Sequence, residues 1–236
     1  MRRCAYIMVV SILLTTGLPG YAQPAHTDIH SAGHSMQKAI LREFHAFRQA
    51  IEQERLYWEK QTHSHPINKN LLYKLFRHTQ KNLLKQYQAY SQWEGLLTKG
   101  AFDCVTGSMV YAYLLGKTGI PYEIIEAPYH VFIKVHLGKE TIVLESTDKN
   151  GFLEFERDIA AHTHFYAENG QLHSIRFVEL VALYYYNQAA NAFNHGQWET
   201  ARRYIDEAAL LYPSARILEL KAELDSRSRW MVAHFN

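Results

Sequence analysis

Apolar residues settle into a regular rhythm at Met36. From there Ile40, Phe44, Phe47, Ile51 and Trp58 recur at helical spacing, and past the break at "THSHPIN" a second helix is predicted through Leu71, Leu72, Leu75, Phe76, Leu83, Leu84 and Tyr87. Both read as amphipathic helices. "LLTKGAFD" closes this section, and a third, more apolar helix starts near Cys104 and ends around "GKTGIP", where Gly119 and Pro121 stop it. The period then changes. "YEIIEA", "HVFIKVHL" and "TIVLEST" are short, rich in β-branched and aromatic residues and divided by "PY", "GKE" and "DKNG". They predict an antiparallel sheet packed on the helix that carries Cys104. After "DIAAHTHFYAENGQL" helices return in "VELVALYYYNQAANAFNHG", "QWETARRYIDEAALLYP" and "SARILELKAELDSRSRW". The expected class is α+β.

The N-terminus follows a different logic. Arg2 and Arg3 precede the apolar run "AYIMVVSILLTTGLPG", and Gly20-Tyr21-Ala22 forms a small-x-small cleavage site before Gln23, so residues 1–22 read as a secretory signal peptide. The expected destination is secretion or the periplasm. The run is interrupted by Thr, Gly and Pro, and no later segment has the roughly 18 consecutive apolar residues of a membrane span. Residues 23–35, "QPAHTDIHSAGHS", are polar and aperiodic and read as a mobile leader. His26, His30 and His34 repeat every four residues there, but without a carboxylate partner they do not read as a metal site, and His162 and His164 are a weaker candidate still.

Composition narrows the function classes. The 47% hydrophobic content suffices for a real core, and a formal charge of +2 without a Lys/Arg block calls for neither nucleic acid nor an anionic membrane. Cysteine usage is more pointed. Cys4 leaves with the signal, so the mature chain keeps one thiol, Cys104, which in an oxidising compartment is either paired between molecules or free and reactive.

Cys104 is followed by His130, at the head of "HVFIKV", and by Glu145 in "VLEST" on the next strand. Thiol, imidazole and carboxylate are the set that nucleophilic acyl transfer needs: the thiolate attacks, the imidazole holds and returns the proton, and the carboxylate orients the ring. A helix N-terminus and an adjacent imidazolium are expected to lower the thiol pKa toward working pH, against the negative charge of Asp103, the expected helix cap. The acid position has two candidates, Glu145 and Asp148. For the oxyanion, the Cys104 backbone N–H is the natural first donor, with Gln92 or Trp93 as candidates for the second.

From Gly100 to Phe152 the chain resembles the transglutaminase-like superfamily, a branch of papain-like thiol enzymes, in the order "FDC…YAYLLGKTGIPYEII…YHVFIKV…VLEST". Cys104, Gly119-Ile120-Pro121, His130 and Glu145-Ser146-Thr147 stand where that family has its core-helix Cys, its Gly-Ile-Pro turn, its strand-leading His and its Asp-Pro-Thr-like motif. Glu replaces the usual Asp and Ser the usual Pro. The resemblance implies a papain-like core and thiol-dependent acyl transfer on amides of a protein or peptide: peptide-bond hydrolysis, deamidation or transfer to an amine. It implies no metal or organic cofactor. The calcium known in some animal relatives is not carried over, because the acidic residues do not cluster in a loop of ligand spacing.

The C-terminal part resembles a tetratricopeptide repeat through Gly196, Trp198, Ala201, Ala208 and Pro213, over one unit and the first helix of a second. One unit cannot bury a continuous core and must be capped by the rest of the protein. It reads equally as a helical hairpin packed on the domain or as a peptide-binding groove, with the tyrosines of "LYYYN" and Trp198 as its packing face. The expected organisation is a transglutaminase-like domain at 36–170 and a helical repeat-like segment at 171–236. The rival function is a non-catalytic interaction protein that uses a degenerate thiol-enzyme core and the helical hairpin as a binding surface.

Overall fold

A computed structural model describes His45, residues 47–49, 51–168 and 170–235, the last residues (228–235) as helix backbone only. The expected signal peptide at 1–22, the expected leader at 23–35 with its three histidines, and the expected helix start at Met36 lie outside the described residues. Among those described, no helix is long and apolar enough to cross a membrane.

The elements follow in the order α1 (Glu52–Ser64), α2 (Lys69–Asn82), β1 (Gln86–Tyr87), α3 (Trp93–Lys99), β2 (Ala101–Phe102), α4 (Cys104–Thr118), β3 (Tyr122–Ala127), β4 (His130–Leu137) and β5 (Glu140–Leu144). Then come β6 (Phe152–Leu153), α5 (Glu156–Ala167), β7 (His173–Ile175), α6 (Phe177–Asn194), α7 (Trp198–Leu211) and α8 (Ala215–Phe235). The protein is α+β. Its main sheet is antiparallel throughout, in the order β6-β5-β4-β3-β7.

The alternation of side chains along the strands divides this sheet into two unlike faces. Ile124, Val131, Ile133, Val135, Ile142 and Leu144 belong to the large apolar core that also contains α4, a helix buried on nearly every side. Ile125, Phe132 and Val143 point the other way and form a small separate cluster with Leu153, Ile159, Tyr166 and Leu172. Helix α5 covers this second face. Residues 130, 132 and 145 share its parity, because Ile133 pairs with Leu144 and the register continued by one residue sets Phe132 against Glu145.

Two glycines let the site segments close up. A Cβ on Gly107 of α4 would lie 2.7 Å from Ser146, so only glycine lets the Cys104 helix come so near the strand end that carries Glu145. A Cβ on Gly151 would lie 2.2 Å from the Glu145 carbonyl, whose own N–H donates to the Gly151 carbonyl at 2.8 Å.

The structure departs from the sequence expectation in several places. The second helix ends at Asn82 instead of reaching Tyr87, because Lys85 and Gln86 N–H groups both donate to the Gly100 carbonyl and draw β1 into parallel pairing with β2. "DIAAHTHFYA" is helical, within α5. The segment expected to be wholly helical from 171 opens with β7, which pairs with β3. Packing is continuous across residue 170: one apolar core runs from Phe47 to Leu224, and Trp93 stacks on Tyr184 of α6 at 4.6 Å. The helical pair α6–α7 is thus closed by the domain on one side and by α8 on the other.

Candidate active site at the start of α4

Helix α4 begins at Cys104 because Asp103 caps it. The Asp103 Oδ1 accepts from the Thr106 N–H at 2.8 Å, and the Thr106 hydroxyl accepts from the Asp103 N–H, also at 2.8 Å, a reciprocal box that holds the first turn. The other carboxylate oxygen accepts from the Ser91 N–H and the Asn187 side chain, each at 3.1 Å. Burial pushes the pKa of Asp103 upward, and these donors work against that push. The second turn of α4 meets the strand after His130, where the Ser108 hydroxyl donates to the Val131 carbonyl at 3.2 Å.

His130 and Glu145 meet across neighbouring strands: His130 Nε2 lies 2.6 Å from Glu145 Oε2. They are diagonal neighbours on one sheet face, the arrangement by which side chains of adjacent strands reach each other. An ionised carboxylate only accepts, so His130 carries its proton on Nε2 and presents Nδ1 as the nitrogen available for chemistry. The ring lies flat on Tyr166, with centroids 4.5 Å apart and planes at 5°. Asp148, the other acid candidate, is exposed and accepts from the Asn150 N–H within its own turn. The structure brings Glu145 to His130 and leaves Asp148 in that turn.

Glu145 has further partners. His162 Nε2 stands 3.2 Å from the same Oε2, and Oε1 accepts from the Thr147 N–H at 2.9 Å and the Thr147 hydroxyl at 2.6 Å. Burial alone would raise its pKa, but the hydrogen bonds from His130, His162 and Thr147 outweigh burial and hold the carboxyl well below its usual range. It is a fixed anion at neutral pH.

Cys104 and His130 line one cavity of about 280 Å³ together with Tyr87, Tyr90, Tyr129, Tyr186, Asn187 and Arg216. The thiol is half-buried at its surface but sits in densely packed protein. Burial first, then the charges of Asp103 and Glu145, push it up to about 12, and the Val131 N–H and Arg216 offset only part of this. This corrects the expected lowering: desolvation and two nearby carboxylates exceed the helix N-terminus. The resting sulfur is a thiol at neutral pH.

The expected oxyanion side chains are not brought to this cavity. Gln92 donates to Gln188 at 3.0 Å, and Trp93 is buried between Phe47 and Tyr184. The tyrosines of "LYYYN" divide: Tyr184 and Tyr185 pack into the core as expected, whereas Tyr186 faces the Cys104 cavity. His164 pairs with Glu168 on the exposed side of α5, at 3.1 Å. Among the described residues no group of three metal-ligating side chains is assembled.

No known family model matches this chain, and neither a curated protein nor a solved structure does. The residues that sequence reasoning missed here are His162 as a partner of Glu145, Tyr166 beneath His130, Asn187 on Asp103, and Arg216. For α5 a signal existed: Ile159, His162 and Tyr166 stand three and four apart and share one helix face. For Asn187 and Arg216 nothing local marks a partner so distant in sequence.

Proposed function

We propose that this chain is a thiol-dependent acyl-transfer enzyme acting on amide bonds of proteins or peptides, with Cys104 as nucleophile, His130 as base and Glu145 as the acid that orients it. The observation that carries the reading is the 2.6 Å contact between His130 Nε2 and Glu145, made at the wall of the cavity where the first residue of α4 is a cysteine. The order Cys, His, acid within an α+β domain supports a place in the transglutaminase-like superfamily. The N-terminal pattern supports an exported protein cleaved after Ala22.

The mechanism follows from the resting protonation states. Because Cys104 is a thiol and His130 has Nδ1 available, attack begins with transfer of the thiol proton to Nδ1 as sulfur bonds the amide carbon. The Glu145 carboxylate stabilises the charge of the resulting imidazolium without taking its proton. The Cys104 N–H at the helix start is a donor for the oxyanion. Collapse of the tetrahedral centre breaks the C–N bond, and Nδ1 returns the proton to the departing amine. The acyl thioester is left on Cys104. Water completes hydrolysis or deamidation, and an amine completes transamidation, in each case with His130 removing the proton of the incoming nucleophile.

One observation favours the rival reading, a non-catalytic interaction protein: desolvation and the charges of Asp103 and Glu145 keep the Cys104 thiol protonated. Mass spectrometry of casein incubated with the protein, with and without an added primary amine, separates the readings. Cleaved peptides, one-dalton shifts at glutamine or amine adducts, each lost in Cys104→Ala, are the expected outcomes. An unchanged casein spectrum under both conditions overturns the enzyme reading.

A further inference from the structure

Among the described residues two that are not glycine hold a left-handed backbone, Tyr90 and Tyr129, each at φ 58°. Both line the cavity of Cys104. For a large side chain such a backbone is a true outlier, and strain of this kind persists where function requires it. Tyr129 makes the case most clearly. Ala127 pairs with His130, so Pro128 and Tyr129 form the whole turn between β3 and β4; Pro128 locks its own φ negative, and the next position, at positive φ, is one that glycine or asparagine fills without cost. The tyrosine gains no packing there, because it is 84% exposed. Neither local backbone preference nor the core accounts for a tyrosine at this position.

Its position does. Tyr129 directly precedes His130 and borders two cavities, that of Cys104 and a neighbouring one of about 470 Å³ bounded also by Glu126, His173, Tyr212 and Glu219. Arg216 is common to both cavities; its guanidinium is fixed 2.7 Å from Glu126 and 5.3 Å from the centre of the Tyr186 ring. Tyr90 is anchored more firmly, with its hydroxyl 3.4 Å from the Asn194 amide.

We propose that Tyr90 and Tyr129 are substrate-holding residues, and that what they hold is an extended stretch of polypeptide which crosses Cys104 and continues past Tyr129 into the second cavity. This rests on the acyl-transfer reading, which supplies the amide. Two adjoining cavities call for a chain of several residues, since a single small amide would occupy the first alone. A tyrosine suits this task because it offers a flat apolar face and a polar tip while few side-chain torsions need to be fixed.

The test uses Tyr129→Gly, which relieves the backbone strain while removing the ring. Binding of fluorescent casein peptides to the Cys104→Ala protein is measured separately from turnover, so failure of the chemistry is told apart from failure of the binding. Adding Tyr129→Gly is expected to weaken peptide binding at least fivefold while raising the melting temperature by about 2–4 °C. In the protein with its thiol, KM for casein rises by a similar factor, and by more than kcat falls. Tyr129→Phe, which keeps the ring, retains binding, and Tyr90→Gly loses it. Unchanged peptide affinity in Tyr129→Gly, a fall in melting temperature that accompanies weaker binding, or no peptide binding by either protein overturns the proposal. If turnover is abolished by Cys104→Ala but KM is insensitive to Tyr129, the enzyme reading stands and this inference falls.

Discussion

The two faces of the main sheet do different work. The face against α4 is closed by aliphatic side chains such as Ile133, Val135 and Leu144, all fully buried. The face under α5 has Ile125, Ala127, Phe132 and Val143 as its buried apolar strand residues among those described, and it also holds His130 and Glu145, with His162 and Tyr166 of α5 against them. A face filled with hydrocarbon contributes stability through burial and tolerates no polar group without a partner. A face built around a carboxylate and two imidazoles stabilises less, but it fixes orientations. The lesson is that one strand can serve both ends: in β4 the odd positions from Val131 to Val135 hold the core, while His130 on the opposite face carries the site.

Five substitutions sharpen or break that contrast. The largest effect is expected for Cys104→Ala, where loss of the attacking atom abolishes turnover while far-ultraviolet circular dichroism and the melting temperature remain close to those of the parent, since alanine is well tolerated at a helix start. Residual turnover ends the thiol mechanism, and an unfolded variant shows that Cys104 mainly packs. Glu145→Gln comes next. It leaves the ring in place but removes the charge that supports the imidazolium, and kcat/KM should fall by about 10² to 10⁴. Asp148→Asn should stay within twofold. The reverse ranking transfers the role to Asp148, and no effect from either leaves a Cys-His pair.

On the opposite face, Ile133→Ala removes a fully buried side chain and should lower unfolding free energy by about 2–5 kcal/mol in urea titrations. The kcat of the folded fraction should change little. A large drop in kcat without a stability loss would erase the division between the faces. The smallest effect is expected for His162→Asn, a several-fold loss of rate with a change in pH response. Glu145 has its folded pKa depressed, so its stabilising share is present above the unfolded value near 4.5 and is lost as pH falls below that value. Removing the His162 donor weakens the depression. The acid-side fall in melting temperature between about pH 5 and pH 2 should therefore become shallower, and an unaltered fall would remove His162 from the network.

What could be read from the chain beforehand follows the range of the interactions involved. The three strands from Tyr122 to Leu144 and the helix at Cys104 were legible, because alternation, turn residues and the Asp103 cap are local signals. So was the pairing of His130 with Glu145, since adjacent antiparallel strands bring such residues together. The end of α2 at Asn82 was not legible, because the competing bonds go to Gly100. The short β7 owes its existence to β3. The thiol pKa was misjudged for a related reason: the helix start is visible in sequence, whereas the density of protein around Cys104 is a property of the assembled core.

The carboxylate that caps the Cys104 helix takes one of its donors from Asn187, 84 residues further along the chain, and Arg216, at the start of α8, forms part of the same cavity wall. A ribosome completes Cys104, His130 and Glu145 long before it completes the cavity around them. The thiol is therefore present on the nascent chain without its cleft, and it becomes enclosed only when the C-terminal helices dock. Enclosure of the thiol then reports the arrival of α6 to α8, and a product truncated before them would carry the three side chains without the walls that Asn187 and Arg216 supply.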